Sequence, residues 1–321
     1  MTTRIERKRM FVLAHLSDPH IGPLPRPRLA DLASKRMVGY VNWLRGRSRA
    51  HRLDTLDALT RDLAAQAHDH TAVTGDLVNI ALPAEFATAQ AWLDRLGSPA
   101  DVTFVPGNHD AYVRAALPYW DKHWEAFMQG DEEAARDPQA LVARFPFVRR
   151  RGSVAFVGLS SAVPTAPLSA AGRLGREQIA RAAEILRRLA DEGLFRVVLI
   201  HHPLRHRWAS PHKRLIDAAA FRRALALAGA ELVLHGHDHR HALVWLDGPG
   251  HPIPVVGIPS ASAGPNGRHD EPAGYNLYSI AGGPGAWTCE VISRGFRRGA
   301  TSVGETGRYT LSIGGAGLAR Q

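Results

Sequence analysis

The stretch ELVLHGHDH, residues 231–239, runs from an apolar segment through a glycine into two histidines one residue apart. A short run of this kind reads as a buried strand, and Gly236 lets the chain turn sharply at its end. His237 and His239 then stand at the C-terminal end of that strand. A second copy of the tripeptide, His68-Asp69-His70, lies in AHDHTAV at residues 67–73. There the histidines come before the strand, at its opposite end. We read that copy as a helix-to-strand turn, so the position on the strand decides the reading and the spelling does not.

Four other apolar runs end as residues 231–239 do. FVLAHLS (11–17) enters Asp18-Pro19-His20, and TAVT (71–74) enters Gly75-Asp76. VTFVP (102–106) enters Gly107-Asn108-His109-Asp110, and VVLI (197–200) enters His201-His202-Pro203. Between these runs lie helical patterns at 51–67, with Leu53, Leu56, Leu59 and Leu63 on one stripe, and at 83–97, 176–193 and 217–229. Alternating strands and helices predict an α/β fold with a largely parallel sheet, whose strand ends meet at one edge. The later runs HALVWLD, PIPVVGIPS, GYNLYSIA and WTCEVIS predict a second sheet packed on the first. Residues 1–9 read as an N-terminal extension, 10–294 as the domain, 111–150 as a helical insert or cap, and 295–321 as a Gly/Arg-rich tail.

Carboxylates, imidazoles and an amide gathered at one edge make a nitrogen and oxygen site for divalent metals. The series D-x-H, G-D-x-x-N, G-N-H-D, H-x-P and G-H-x-H resembles the calcineurin-like metallophosphoesterases over residues 11–293. The resemblance implies a four-layer α-β-β-α sandwich of two mixed sheets with a dinuclear centre. It implies Asp18, His20, Asp76 and His239 around one metal, and Asp76, Asn108, His201 and His237 around the other. Asp76 would bridge them, and His109 would act on the phosphoryl group or the leaving oxygen. The implied cofactors are two divalent ions, Mn2+, Fe2+/Fe3+ or Zn2+, with a hydroxide held between them as the attacking group. The H-x-P spelling favours His201 as ligand and leaves His202 as the alternative. His15 and His235 read as buried structural residues.

Phosphoprotein phosphatases of this superfamily carry Asp three residues after the bridging Asp, and here that position is Asn79. An amide orients His109 without favouring its charged form. The spelling GDLVN is nearer to the cyclic-nucleotide phosphodiesterase branch. The expected activity is hydrolysis of a phosphodiester, a cyclic nucleotide or similar small diester. The alternatives are a UDP-diacylglucosamine-type pyrophosphate hydrolase at the membrane surface, or a nuclease. No stable nucleic-acid complex is expected.

The 321 residues carry a formal net charge of +10, which attracts anions. A single cysteine, Cys289, excludes a disulfide framework and cysteine-rich zinc sites and reads as cytoplasmic. Three stretches are candidates for substrate contact. SKRMVGYVNWLRGRSRAHR (34–52) mixes basic and aromatic residues and suits an anionic membrane surface, a phosphate-rich ligand, or a helix packed on the domain. LRHRWASPHKR (204–214) follows His201 and offers His206, Arg207, His212 and Lys213 to phosphate. The 111–150 insert, with Tyr112, Trp120 and Trp124, is expected to form a cap that sets substrate size. The sequence carries no signal for oligomeric state.

Overall fold

Along β5 (Val154–Gly158), β6 (Phe195–Leu199) and β7 (Leu232–His235) every residue is buried, but alternate side chains enter different cores. Val154, Phe156, Val197, Leu199, Leu232 and Leu234 join one cluster. Ala155, Val157, Val198 and Val233 join another. A strand buried on both faces must lie between two layers. The computed structural model describes residues 10–131, 144–205, 211–266 and 270–314.

The layers are two six-stranded mixed sheets. The first has the order β12-β11-β10-β1-β2-β3, with β1 (Phe11–Leu16), β2 (His70–Val73) and β3 (Val102–Phe104) parallel. The strands β10 (Gly274–Ala281), β11 (Trp287–Phe296) and β12 (Val303–Ile313) extend it antiparallel. The second has the order β4-β5-β6-β7-β9-β8, with β4 (Phe147–Arg151), β8 (Ala242–Leu246) and β9 (Ile253–Gly257) added to the three strands above. Across the sandwich, Phe156 meets Phe11 at 6.2 Å and the His70 ring at 4.6 Å, and Phe195 meets Trp287 at 5.4 Å.

Helices cover the two outer faces. Helix Leu53–Ala64 buries Leu56, Leu59 and Leu63, and helix Pro83–Leu96 buries Phe86, Trp92 and Leu93, all in the cluster that holds the first sheet. Leu53 falls off the expected stripe and is exposed. Helices Arg176–Asp191 and Ala218–Ala228 close the second sheet through Leu186, Leu189, Phe221 and Leu225.

Four expectations change. The five motif strands do not share one sheet: β1, β2 and β3 lie in the first, and β6 and β7 in the second. The β-rich end builds no sheet of its own, because β10 to β12 complete the first and β8 and β9 the second. The domain also continues past residue 294, since β12 is a full edge strand on β11; of the supposed tail, residues 315–321 lie outside the described residues. The expected insert is no cap where it is described. Its helix Pro118–Trp124 packs Trp124 on Phe86 at 4.7 Å and on Phe104 at 5.3 Å, and its last residues are strand β4. Trp120 and Trp124 are therefore core residues.

At the strand ends away from the motifs, Arg196 and Glu231 tie β6 to β7. The guanidinium donates to both Glu231 oxygens at 2.8 Å and to the carbonyls of Leu186 and Ala228. Burial opposes the Glu231 charge, but Arg196 outweighs it and holds the pKa down at about 2, below the usual 4.5. A carboxylate depressed in the folded state stabilises the fold above its unfolded pKa and loses that contribution as pH falls through the folded value. Urea unfolding should show this stability lost between pH 4.5 and about 2. Glu231→Gln should cost about 3 kcal/mol at pH 7 by leaving a buried guanidinium uncompensated, and should flatten the acid dependence.

Candidate metal centre

The loops after β1 and β2 are zipped together by backbone bonds. Asp18 N–H donates to Gly75, His20 N–H to Asp76 and Ile21 N–H to Leu77, at 2.9–3.0 Å. Asp110 completes the frame. Its carboxylate accepts the N–H groups of Asp76 and Gly107 at 2.8 Å, Leu77 at 2.9 Å and Val78 at 3.2 Å. These bonds hold an unusual backbone. Among the described residues seven non-glycine positions have positive φ, and Asp18, His20, Asp76, His237 and His239 are five of them. Each such position costs about 1–3 kcal/mol and persists only where its surroundings enforce it. The strain is thus collected at the expected ligands. Gly75 (φ +99°) and Gly236 let the loops meet: a Cβ at Gly75 would lie 2.7 Å from the Gly107 nitrogen, and one at Gly236 would strike Ser17 and Asp18.

The strand ends bring the seven expected ligands into two donor sets. In the first, His239 Nε2 lies 3.1 Å from Asp18 Oδ1 and 3.2 Å from His20 Nε2. His20 Nε2 is 3.8 Å from both Asp18 Oδ1 and Asp76 Oδ2. In the second, His201 Nε2 lies 3.4 Å from Asp76 Oδ2, 3.2 Å from Asn108 Oδ1 and 3.3 Å from His237 Nδ1. Donors about 2.1 Å from one cation stand about 3.0 Å apart on an octahedral edge and about 3.4 Å apart on a tetrahedral one. The spacings of 3.1–3.4 Å in each set fit a divalent ion, and Asp76 Oδ2 borders both sets. Its other oxygen is taken by the His109 N–H at 2.7 Å.

The outward ring nitrogens are fixed as well. His201 Nδ1 donates to the Thr74 carbonyl at 2.7 Å, His20 Nδ1 to Val78 at 3.3 Å, and His237 Nε2 to Lys213 at 2.9 Å. Such bonds set the tautomer and aim the ring of a ligating histidine. His237 therefore offers Nδ1, and the others offer Nε2. Burial opposes positive charge throughout. It keeps the His20 and His237 pKa values well below the usual range. At His201 and His239 the carboxylates of Asp76 and Asp18 overcome it and raise the values to about 10 and about 9. The pocket thus favours positive charge beside its carboxylates.

His109 joins this group, its ring 4.9 Å from that of His20 and stacked 5.5 Å from Tyr112. Its Nδ1 donates to the backbone carbonyl of Asn79 at 2.5 Å. The Asn79 side chain does not hold it, as the sequence suggested; its Nδ2 donates to Ile21 instead. His202 bonds Ser161 Oγ through Nδ1 and the Ala170 carbonyl through Nε2, which leaves His201 as the residue that faces the donors. His212 and Lys213 are exposed, and Lys213 reaches the centre through its carbonyl; His206 and Arg207 lie outside the described residues. The first His-Asp-His copy is elsewhere: His70 bonds Thr103 and Asp69 accepts the Val12 N–H. His15 and His235 are buried and hydrogen-bonded, as expected.

Two residues that sequence reasoning missed also reach the centre. His51 is buried, with Nδ1 2.9 Å from Ser262 Oγ and its ring 4.4 Å from that of His20. Ligand atoms of His20, His51 and His239 lie within 4.8 Å of one another. Arg47 Nη2 lies 3.1 Å from His20 Nε2. Both fall in the basic 34–52 segment, and only that segment's charge hinted at a site.

A sequence model of the calcineurin-like phosphoesterases matches residues 11–241. The chain belongs to the calcineurin-like phosphoesterase family. Among solved structures, this phosphoesterase is similar to a dimetal phosphatase from Danio rerio, at 13% identity and a TM-score of 0.61, covering 96% of this chain and 100% of that one. It is also similar to a purple acid phosphatase from yellow lupin (Lupinus luteus) seeds, at 12% identity and a TM-score of 0.56. That match covers 95% of this chain and 54% of the lupin chain. Identities this low speak for the fold alone. No curated protein sequence matches. Calcineurin-like enzymes use a dinuclear divalent centre, and the donor sets above fit one.

Because Asp76 Oδ2 serves both sets, Asp76→Ala should empty both positions, whereas Asp18→Ala should leave the second filled. Elemental analysis of Mn2+-loaded protein should give near zero and near one ion per chain. Two ions retained by Asp76→Ala would contradict the shared-oxygen geometry.

Proposed function

We propose that this phosphoesterase hydrolyses a phosphodiester, a cyclic nucleotide or similar small diester, at a two-metal centre. The observation that carries the reading is the complete pair of donor sets around Asp76 with the His109 ring beside them. Two divalent ions there, Mn2+, iron or Zn2+, supply charge to polarise phosphoryl oxygens and lower the pKa of water. The chain's own residues do the rest. Asp76 and Asp110 fix where the donors stand, and Asn108 offers a neutral oxygen. His109 holds its Nδ1 proton on the Asn79 carbonyl, so Nε2 is the atom left for substrate.

Burial and the Arg47 charge lower the His109 pKa to about 3, and its partner carbonyl adds no negative charge. An anionic phosphoryl oxygen at Nε2 pulls the other way and favours the protonated ring. A histidine protonated only when substrate is bound can give that proton to a leaving alkoxide. This suits an ester with an alkoxide leaving group, and the diester reading itself is supported by Asn79, which stands where the protein-phosphatase type carries Asp.

A second reading is favoured by one surface observation. Leu29 (89% exposed), Leu44 (60%) and Met37 (48%) lie on the 29–47 segment, beside Arg45 and Arg49. Leu168 (80% exposed) sits on the neighbouring loop, joined to that segment by Lys35 bonds to Thr165 and Ser169. Exposed apolar side chains among arginines suit a peripheral contact with anionic lipid. In that reading the substrate is a lipid-linked nucleotide pyrophosphate, of the UDP-diacylglucosamine kind.

A panel assay with Mn2+ decides between them. It compares an aryl phosphodiester, the matching monoester, cyclic nucleotides, single-stranded DNA and a nucleotide-diphospho-lipid. The diester should exceed the monoester, and His109→Ala should lower kcat by about 10²–10⁴-fold with metal content unchanged. Preference for the monoester overturns the leading reading, and turnover of the lipid substrate alone replaces it with the second.

A further inference from the structure

Residues Trp43–Arg47 join two helical stretches across a kink at Gly46, whose backbone is extended (φ 166°). The segment is pinned on both sides of the turn. Trp43 is buried against Gly22. After the turn, Arg52 N–H donates to Ser262 at 2.9 Å, Gly264 N–H donates to Ala50 at 3.0 Å, and His51 bridges to Ala263. Between these anchors the chain carries Arg47 to the metal centre. Its Nη2 lies against the His20 ring, 3.1 Å from Nε2, and the carboxylates of Asp76, Asp18 and Asp270 attract it. Its Nε is buried with no hydrogen-bond partner among the described residues, while the residue as a whole is partly exposed.

These contacts leave the guanidinium with a conflict that an arriving anion resolves. His20 Nε2 has one lone pair, so it serves either the Arg47 N–H or a cation. The nearby oxygens of Asp18 and Asp76 are themselves donors to the two metal positions. With the centre loaded, the Arg47 N–H groups are open to an acceptor that arrives from outside. An oxyanion seated at the metals provides two oxygens at the spacing a guanidinium fork takes. His51 lines the same recess, with Nδ1 committed to Ser262 and its ring 4.4 Å from that of His20 and 5.4 Å from that of His239.

We propose that Arg47 is the phosphate clamp of this centre, binding two non-bridging oxygens of the substrate phosphoryl group from the kinked turn beside His51. The proposal rests on the phosphoesterase reading above and adds a binding residue to it. It implies that Arg47 contributes to substrate binding and leaves the metals in place.

The test is calorimetric titration of inorganic phosphate into Mn2+-loaded protein, with metal content measured on the same samples. Arg47→Gln should keep two ions per chain and weaken phosphate binding about ten- to a hundredfold. Arg47→Lys should recover part of the affinity, because it restores the charge without the fork. With the best diester substrate, KM should rise more than kcat falls. Unchanged phosphate affinity in Arg47→Gln overturns the clamp while leaving the phosphoesterase reading standing. Affinity lost only in step with metal content overturns it too, since Arg47 would then be a structural support for His20. If the loaded wild-type protein binds no phosphate, both readings fall together.

Discussion

One carboxylate oxygen, Asp76 Oδ2, stands between donors from both sheets: His20, 3.8 Å away, follows β1 of the first, and His201, 3.4 Å away, follows β6 of the second. The rest of the structure keeps that oxygen still. Asp76 sits in a left-handed conformation and lends its second oxygen to the His109 N–H. Its own N–H is held by Asp110, which also holds the turn that carries Asn108. A shift of one loop would therefore move both donor sets at once. Strain of this kind is affordable because the sandwich beneath it is large and the bonds above it are many.

The same construction explains the electrostatics. Five strand ends bring four imidazoles and two carboxylates together in a largely buried place. Burial alone would strip their charge, and at His20 and His237 it does. Where a carboxylate stands alongside, as at His201 and His239, positive charge is favoured instead. Divalent cations satisfy both tendencies, because they need neutral imidazoles and supply the charge that the carboxylates call for.

Much of this was legible in the sequence, and what was not shares one cause. The ligand motifs are local: each is a strand, a turn and a donor within about ten residues, so spacing reveals them. Sheet membership is not local. Nothing in VVLI or TAVT says which strand will lie alongside, and the five motifs were read onto one sheet when they divide between two. The tail was misread for the same reason, since a strand with Gly304 and Gly307 is recognised only by its pairing to β11. Trp120 and Trp124 read as cap residues because they follow His109, yet they turn back onto Phe86 and the β3 edge. Arg47 and His51 are the clearest case. They come from a segment that carries none of the five motifs, and only the tertiary path of the kinked turn delivers them to His20.

The central claim, a pair of metals sharing Asp76, is open to direct spectroscopy. Electron paramagnetic resonance of protein loaded with two equivalents of Mn2+ should show an exchange-coupled pair, because ions held by the two donor sets that share Asp76 would stand close enough to couple. A spectrum of isolated, uncoupled Mn2+ at full loading would contradict the account.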